Sequence, residues 1–305
     1  MSRGIPLSHR LVLIVLVLGL LIVGAAPFIT EHPVVAAQEG SVLLVDDEGT
    51  ANPELVEVEL GDPAGFGVSG QVLEIQPGYT ISAVAAGLGD PRFMAFDDAG
   101  NLLVGTGRQG NVYRFSFADG QLGEPEVLLS GLQQPASVAF FSTDAGEYLY
   151  VGEIHQVSRF PYDPTGPAGA QEVVIPGLPT GGHRTRTVAF GPDGMLYLPV
   201  GSSCNICVEE EPIRSTISRA NPDGSDLEII ATGLRNPVGL DFQPGTGLLW
   251  ATVNERDNQG NEIPPDLVTI VEEGANYGWP QCLPPDATPQ EPGADCSGVT
   301  PPTIG

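Results

Sequence analysis

Short apolar segments alternate with turn residues along the chain after residue 85. The segments are rich in aliphatic, β-branched and aromatic residues, and clusters of Asp, Gly and Pro separate them, which is typical of β-hairpins. No segment after residue 38 repeats its apolar positions strongly with the period of a helix. The segments form consecutive pairs: 93–96 with 102–104, 137–140 with 148–151, 187–190 with 196–200, and 238–242 with 248–253. We therefore expect an all-β chain.

A repeat heads these pairs of predicted strands. Gly-Leu dipeptides begin at residues 87, 131, 177 and 233, and three of the four continue through two further residues to a proline. Repeats of this length with several short strands are typical of β-propeller blades, which stack because one blade cannot bury both faces of its sheet. A β-sandwich is the alternative, but a recurring Gly-Leu-x-x-Pro header is not expected there.

The four headers predict about four blades, of which the last is incomplete. Further strands are expected upstream at 41–45, 55–58 and 71–75, whereas 280–302 is a proline-rich loop. An open propeller would expose sheet edges and an uncovered apolar face. We therefore expect this chain to be a truncated version of a longer protein.

The first 37 residues predict a targeting segment. Basic residues precede an apolar stretch that begins at residue 11 and continues to residue 29, and the small residues Ala36 and Ala37 would suit cleavage after position 37. The segment is interpreted as a signal peptide or a helical membrane anchor, with a tether through 11–29 if it is retained. We expect residues 38–305 to form the propeller outside the cytoplasm, either secreted, periplasmic or anchored and facing outward.

The cysteines agree with export. The four cysteines are Cys204, Cys207, Cys282 and Cys296, and an even number in an oxidising compartment predicts disulfides. Three pairings are open at this point, and Cys282 with Cys296 is the favoured local pair. The spacing of the second pair of cysteines argues against a four-thiolate zinc site.

The charge balance excludes one class of partner. Twelve basic and 38 acidic residues give a formal net charge of −26, and all of the basic residues are arginine. Phosphate binding needs clustered cations, so this chain would repel a nucleic acid.

Four stretches resemble one enzyme family in their residues and order. They are His183-Arg-Thr-Arg-Thr-Val-Ala-Phe-Gly-Pro-Asp-Gly194, Leu196-Tyr-Leu-Pro-Val-Gly-Ser202, Gly233-Leu-Arg-Asn-Pro-Val-Gly239, and Gly274-Ala-Asn-Tyr-Gly-Trp-Pro280. Together they resemble the soluble glucose/sorbosone dehydrogenase family, most closely its sorbosone-type branch. The resemblance implies a six-bladed propeller that binds pyrroloquinoline quinone (PQQ) and calcium and oxidises a sugar hydroxyl or hydrated carbonyl, with electrons passing to an external acceptor.

The resemblance also implies roles for individual residues. His183 stands where the family has its general base, a role suited to a side chain with a pKa near neutrality. Arg235 and Asn236 stand at family cofactor contacts, and Arg186 is assigned to the same group. Arginine can pair with a carboxylate or with charge that develops on the reduced cofactor.

The family resemblance places calcium at Glu255 and Asp257, partly through backbone carbonyls, and hard oxygen ligands suit that ion. Four features depart from the family pattern. Ser202 stands at the position of the aspartate that orients the base, the spacing from His183 to Arg186 is one residue shorter than in the glucose dehydrogenase branch, and the chain contains no lysine. We also expect the later blades to be missing. These departures keep an alternative open, namely a non-catalytic propeller that binds protein or carbohydrate, as hedgehog-interacting domains do.

Overall fold

The structure is a computed structural model that describes residues 13–14, 55–63, 65–118, 121–260 and 264–304. These residues contain strands, turns and loops but no helix, so the predicted all-β class is confirmed. A search of the same residues finds no helix with the length and apolar character needed to span a bilayer. The predicted signal or anchor segment, except for residues 13–14, and the domain boundary after residue 37 lie outside the described residues.

The chain divides into two compact units, of which the first comprises residues 1–87 and 119–122. Its strands are β1 (Leu13–Ile14), β2 (Val56–Glu59), β3 (Val72–Ile75), β4 (Ala83–Ala85) and, later in the chain, β9 (Gln121–Leu122). Strands β2 and β3 form an antiparallel pair, as do β1 and β4. Leu60, Val68 and Ala83 are the buried residues of a small core in this unit.

The second unit comprises residues 88–118 and 123–305 and contains the repeats. Its strands follow in chain order: β5 (Pro91–Phe96), β6 (Leu102–Thr106), β7 (Asn111–Phe115), β8 (Phe117–Ala118), β10 (Glu126–Leu129), β11 (Ser137–Thr143), β12 (Gly146–Glu153), β13 (Gln156–Pro161), β14 (Glu172–Ile175), β15 (Ala189–Phe190), β16 (Leu196–Val200), β17 (Thr216–Ala220), β18 (Glu228–Thr232), β19 (Asn236–Phe242), β20 (Leu249–Asn254), β21 (Leu267–Ile270), β22 (Ala275–Asn276), β23 (Cys282–Leu283) and β24 (Thr288–Pro289).

Four consecutive antiparallel sheets account for most of these strands, and we call them blades 1 to 4. Blade 1 has the order β5-β6-β7-β10, blade 2 has β11 to β14, blade 3 has β15 to β18, and blade 4 has β19 to β21. Blade 3 gains β22 as a parallel edge strand. Each predicted pair of apolar segments forms the first two strands of one blade, which confirms the hairpins expected from the sequence.

The apolar core lies between successive blades. One buried cluster joins Leu103 of blade 1 to Leu149 of blade 2, and a second joins Tyr150 of blade 2 to Leu198 of blade 3. A third cluster packs residues of blade 3 against residues of blade 4, including Leu249. Because each sheet buries its faces on its neighbours, the blades stabilise one another, as stacked repeats do.

Hydrogen bonds also join the first strands of neighbouring blades. The Phe93 amide donates to the Ala136 carbonyl at 3.0 Å, which links blades 1 and 2. The Ser137 hydroxyl donates to the Arg186 carbonyl at 2.8 Å, which links blade 2 to the loop that enters blade 3. The blades therefore follow one another around their first strands, and the propeller-like arrangement predicted from the repeats is confirmed.

A glycine is the last but one residue of the second strand in blades 1 and 2, and a glycine directly follows the second strand of blade 3. Each of these glycines lies against atoms of the next blade or of the loop that enters it. A Cβ atom built at each glycine would come too close to an oxygen atom. The built Cβ of Gly105 would lie 2.9 Å from the Pro135 carbonyl oxygen, and that of Gly201 would lie 2.5 Å from Asn236 Oδ1. The built Cβ of Gly152 would overlap the Arg186 carbonyl oxygen. Real Cβ atoms do not approach that closely, so glycine is required wherever the blades meet this tightly.

This contact predicts that Gly152→Ala destabilises the protein by at least about 2 kcal/mol, since the added methyl group overlaps a backbone carbonyl that cannot move without shifting blade 3. Chemical denaturation measures the change in the free energy of unfolding. Gly298→Ala is the control, because nothing lies within 4 Å of its built Cβ. Equal stability of the two variants would contradict this account of blade packing.

Candidate functional site

Four loops meet at one end of blades 3 and 4. Two enter first strands (177–188 before β15 and 233–235 before β19), and two follow second strands (201–215 after β16, and the described residues 255–260 and 264–266 after β20). In an antiparallel hairpin the start of the first strand and the end of the second strand lie at the same end of the sheet. Main-chain hydrogen bonds link them directly: His183 N donates to Ser202 O at 2.9 Å, and Ser202 N donates to Arg235 O at 2.8 Å.

Ser202 holds the imidazole of His183. The His183 Nδ1 atom lies 3.0 Å from the Ser202 carbonyl oxygen and 2.9 Å from its hydroxyl oxygen. The hydroxyl in turn donates to the Cys204 carbonyl at 2.7 Å. A carbonyl can only accept, so Nδ1 carries the proton and Nε2 of the neutral ring keeps its lone pair. The backbone and the side chain of Ser202 therefore both orient the histidine.

The surroundings of His183 favour its neutral form. Burial of the half-buried ring lowers its pKa below the usual 6.5, and the nearby positive charge of Arg235 lowers it further. The Ser202 hydrogen bond and the carboxylates of Asp257 and Glu209 act in the opposite direction without reversing the shift. At neutral pH the imidazole is therefore uncharged and able to accept a proton.

Arg235 lies beside this histidine, with a side chain that is almost fully buried. Its Nε donates to the Asn205 carbonyl oxygen at 3.0 Å, and its Nη2 donates to the Asn205 Oδ1 at 2.8 Å. Nη2 also contacts the Asp257 carboxylate at 2.8 Å, and Nη1 donates to the Asn254 and Glu255 carbonyls. All five donors are engaged, so Arg235 offers its positive charge to the site rather than a free N–H group.

Asn236 has a side-chain oxygen without a hydrogen-bond partner close to His183. Its Oδ1 is buried and has no hydrogen-bond partner among the described residues. The same oxygen lies 2.5 Å from the built Cβ position of Gly201, which itself is 2.7 Å from the His183 Cβ. A buried polar atom without a partner costs about 1–3 kcal/mol, so Asn236 Oδ1 is an acceptor beside the histidine to which the described residues supply no donor.

Arg186 is fully buried and holds the histidine loop together. Its Nη1 donates to the carbonyls of His183 at 3.0 Å and Thr185 at 2.8 Å, and its Nη2 donates to the Pro179 carbonyl at 2.5 Å. Burial without a carboxylate partner lowers the pKa of Arg186 to about 10. Its expected cofactor contact stays a prediction, and the contacts present here close the loop that carries His183.

The two predicted calcium ligands are engaged with arginines. The Glu255 carboxylate is buried and contacts Arg256 Nη1 at 2.7 Å, while the exposed Asp257 carboxylate contacts Arg235. Burial raises the pKa of Glu255 to about 7, although both arginines oppose that shift. In this arrangement neither carboxylate is free for an ion. Calcium ligation by Glu255 and Asp257 therefore stays a prediction that their present contacts do not support.

Both cysteine pairs close as disulfides, Cys204 with Cys207 and Cys282 with Cys296, which confirms the favoured local pair. Within the described residues the one cluster of three potential metal ligands is Cys204, Cys207 and Glu209. Its two sulfurs are bonded to each other, so no thiolate is present to hold a metal.

Two residues that contribute to the site were not predicted from the sequence, namely Asn205 and Arg214. Asn205, between the first two cysteines, contacts both Arg235 and Asp257. Arg214, almost fully buried, donates to the Gly181 carbonyl at 2.9 Å and so anchors the histidine loop from β17's side. The Cys-x-x-Cys spacing drew attention to the cysteines rather than to the asparagine between them. No local signal distinguishes Arg214 from a surface arginine.

The TrAA12-like family model matches residues 73–294. Among characterised relatives, the aldose sugar dehydrogenase YliI of Escherichia coli (strain K12) is 29% identical over 121 residues, covering 35% of this chain and 31% of that protein. A pyrroloquinoline quinone-dependent sugar dehydrogenase of Hypocrea jecorina (strain QM6a) is 26% identical over 246 residues, covering 67% of this chain and 56% of that protein. The chain thus spans about half or less of the length of these relatives.

Solved structures agree on the fold. The holo PQQ domain of pyranose dehydrogenase from Coprinopsis cinerea superposes with a TM-score of 0.63 at 22% identity, covering 75% of this chain and 68% of that one. The PQQ-bound aldose sugar dehydrogenase from Streptomyces coelicolor gives 0.54 at 26% identity, covering 72% and 68%. A calcium structure of the Trichoderma reesei family AA12 enzyme gives 0.55 at 22% identity, covering 66% and 58%.

The buried Glu255 predicts a pH dependence of stability. Its pKa is raised from 4.5 to about 7 in the folded protein, so the folded state binds this proton more tightly than the unfolded state. The resulting stability is complete below pH 4.5 and is lost as the pH rises through 7. Glu255→Gln should remove this contribution, on the order of 1–3 kcal/mol between pH 5 and pH 8.

Denaturant unfolding at the two pH values measures this difference. Glu124→Gln is the matched control, because Glu124 is exposed and should leave the pH dependence unchanged. An identical pH dependence in wild type and Glu255→Gln would show that Glu255 is ionised in the same way in both states.

Proposed function

The chain belongs to the TrAA12-like family, and from that premise we propose that it serves in PQQ-dependent oxidation of a sugar, at a hydroxyl or a hydrated aldehyde. The observation that carries the proposal is the pairing of an oriented, neutral His183 with the charge of Arg235. The relatives named above as sugar dehydrogenases supply the substrate class.

His183 is the proposed general base. Its Nδ1–H is fixed on Ser202, so Nε2 is the atom that would take the proton from the sugar hydroxyl. Removal of that proton raises electron density on the oxygen and so promotes departure of hydride from the adjacent carbon. General-base catalysis by a positioned side chain contributes about 10²–10⁴-fold to a rate.

The residues beside His183 fit an anionic quinone that also carries a hydrogen-bond donor, because the unpartnered atom of Asn236 is an acceptor. The Asn236 side chain has a buried polar atom that lacks a partner, and Arg235 adds a permanent positive charge in a region of low exposure. PQQ, when bound there, supplies the acceptor for the hydride. Arg235 would then stabilise the negative charge that accumulates as the acceptor is reduced. Asn236 would hold the acceptor in register with Nε2 of His183.

We include calcium in the proposal because a calcium structure exists for a relative of the same fold. The present contacts of Glu255 and Asp257 do not suit a carboxylate-ligated ion, so no step of the mechanism is derived through the metal. An electron acceptor outside the protein would receive the electrons after each turnover. We also propose an extracytoplasmic location, which is consistent with two disulfides in a chain of this size.

The first experiment is reconstitution of the protein with PQQ and calcium, followed by dye reduction with aldoses. His183→Gln should lower kcat by at least about 100-fold while PQQ still binds, because the substitution removes the base and leaves Arg235 and Asn236 in place. His155→Gln is the control, since His155 lies in the turn between β12 and β13 of blade 2 and that variant should keep its activity. Wild-type protein that folds but neither binds PQQ nor oxidises sugars would favour a non-catalytic propeller.

The lowered pKa of His183 predicts the acidic limb of the rate profile. The base is active when neutral, so kcat/KM should fall as the pH drops through a value below 6.5. A stopped-flow or steady-state profile over pH 4–8 would locate the midpoint, with the approximate range set by the ordinary histidine pKa. A midpoint above 6.5 would contradict the assignment of His183 as the base, because burial and the Arg235 charge both lower its pKa.

A further inference from the structure

We propose that Asn205, in the loop closed by the Cys204–Cys207 disulfide, is the positioning residue for Arg235. The loop then holds the arginine charge at a fixed place beside His183. The contacts stand by themselves, and only the consequence for PQQ binding rests on the function proposed above.

Asn205 accepts two hydrogen bonds from the guanidinium of Arg235. Its backbone carbonyl accepts from Arg235 Nε at 3.0 Å, and its side-chain Oδ1 accepts from Nη2 at 2.8 Å. Two acceptors from one residue bind adjacent edges of a planar group, and this fixes its orientation as well as its position. The remaining Arg235 partners are the Asp257 carboxylate and the carbonyls of Asn254, at the end of β20, and of Glu255.

The same side chain also holds the residue that pairs with Arg235. Asn205 Nδ2 donates to the Asp257 carbonyl at 2.9 Å, and the Asp257 amide donates back to Asn205 Oδ1 at 2.8 Å. This use of both ends needs an amide, because an aspartate would lack the donor and an alanine would lack both groups. Asn205 therefore joins the loop after β16 to the loop after β20, with the guanidinium between them.

The disulfide explains why this short loop keeps its shape. Ile206 and Val208 are exposed at 38% and 76%, so burial of their side chains contributes little to holding the loop. The bond between Cys204 and Cys207 brackets Asn205 on both sides. It removes conformations that the loop would otherwise sample, which is the usual way in which a cross-link stabilises.

The loop reaches His183 as well as Arg235. The Cys204 carbonyl accepts the hydroxyl hydrogen of Ser202, and Ser202 holds the imidazole through its carbonyl and hydroxyl oxygens. One disulfide-closed loop thus sets the distance between the base and the cation. The charged groups that act on His183 are Arg235, Asp257 and Glu209, and Asn205 directly contacts the first two.

The test compares Asn205→Ala with Ile206→Ala, a control in the same loop whose side chain is exposed. Nuclear magnetic resonance of the imidazole nitrogens in cofactor-free protein measures the His183 pKa, with the signal assigned by its loss in His183→Gln. Asn205→Ala should raise that pKa toward 6.5, since the Arg235 charge is no longer held in place, whereas Ile206→Ala should leave it unchanged. Fluorescence titration with PQQ should show about tenfold weaker binding for Asn205→Ala only.

The double variant Cys204→Ser/Cys207→Ser keeps the proposal testable if Asn205→Ala does not fold, and it should shift the His183 pKa in the same direction. An unchanged His183 pKa in a folded variant, with the wild-type circular dichroism spectrum, would overturn the positioning role. Wild-type protein that fails to bind PQQ would instead contradict the proposed function and would leave the titration readout intact.

Discussion

The close approach of each blade to the loop that enters the next blade is the constraint on which the site depends. Gly201 has no side chain, and this lets the loop that enters blade 4 come near enough for the Ser202 amide to bind the Arg235 carbonyl. The Ser202 carbonyl faces the other way and receives the amide and the ring of His183. Base and cation are therefore placed by one stretch of main chain between them.

Buried arginines act as cross-links in a protein whose overall charge is strongly negative. Arg186, Arg235 and Arg256 are nearly inaccessible to solvent, and most of their donors bind backbone carbonyls of the loops. Such carbonyls satisfy the donors without neutralising the charge. Two of these arginines also pair with carboxylates, Arg235 with Asp257 and Arg256 with Glu255. Burial of the ring is the main cause that lowers the pKa of His183, and the charge of Arg235 adds to it in a chain that carries −26 in total.

The sequence predicted the parts of the fold that depend on local periodicity. The first two strands of every blade were found because apolar segments and Asp/Gly turns are visible within about 20 residues. Ser202 was noted as a departure, since its side chain is no carboxylate, yet it orients His183 partly through a carbonyl that every residue possesses. No pattern of side chains could reveal that contact. Asn205 was hidden for a related reason, because its partners Arg235 and Asp257 lie 30 and 52 positions away.

By itself the sequence determined that this is an all-β chain of repeated hairpins, it favoured the Cys282–Cys296 pair among three open pairings, and it placed His183 and Arg235 in loops that precede predicted strands. Only the tertiary structure decided which partners those side chains take. In the structure the buried Glu255 carboxylate contacts Arg256, and every N–H donor of Arg235 has a hydrogen-bond partner. Partner choice depends on distances between loops of different blades, and these distances follow from how the blades pack rather than from local sequence.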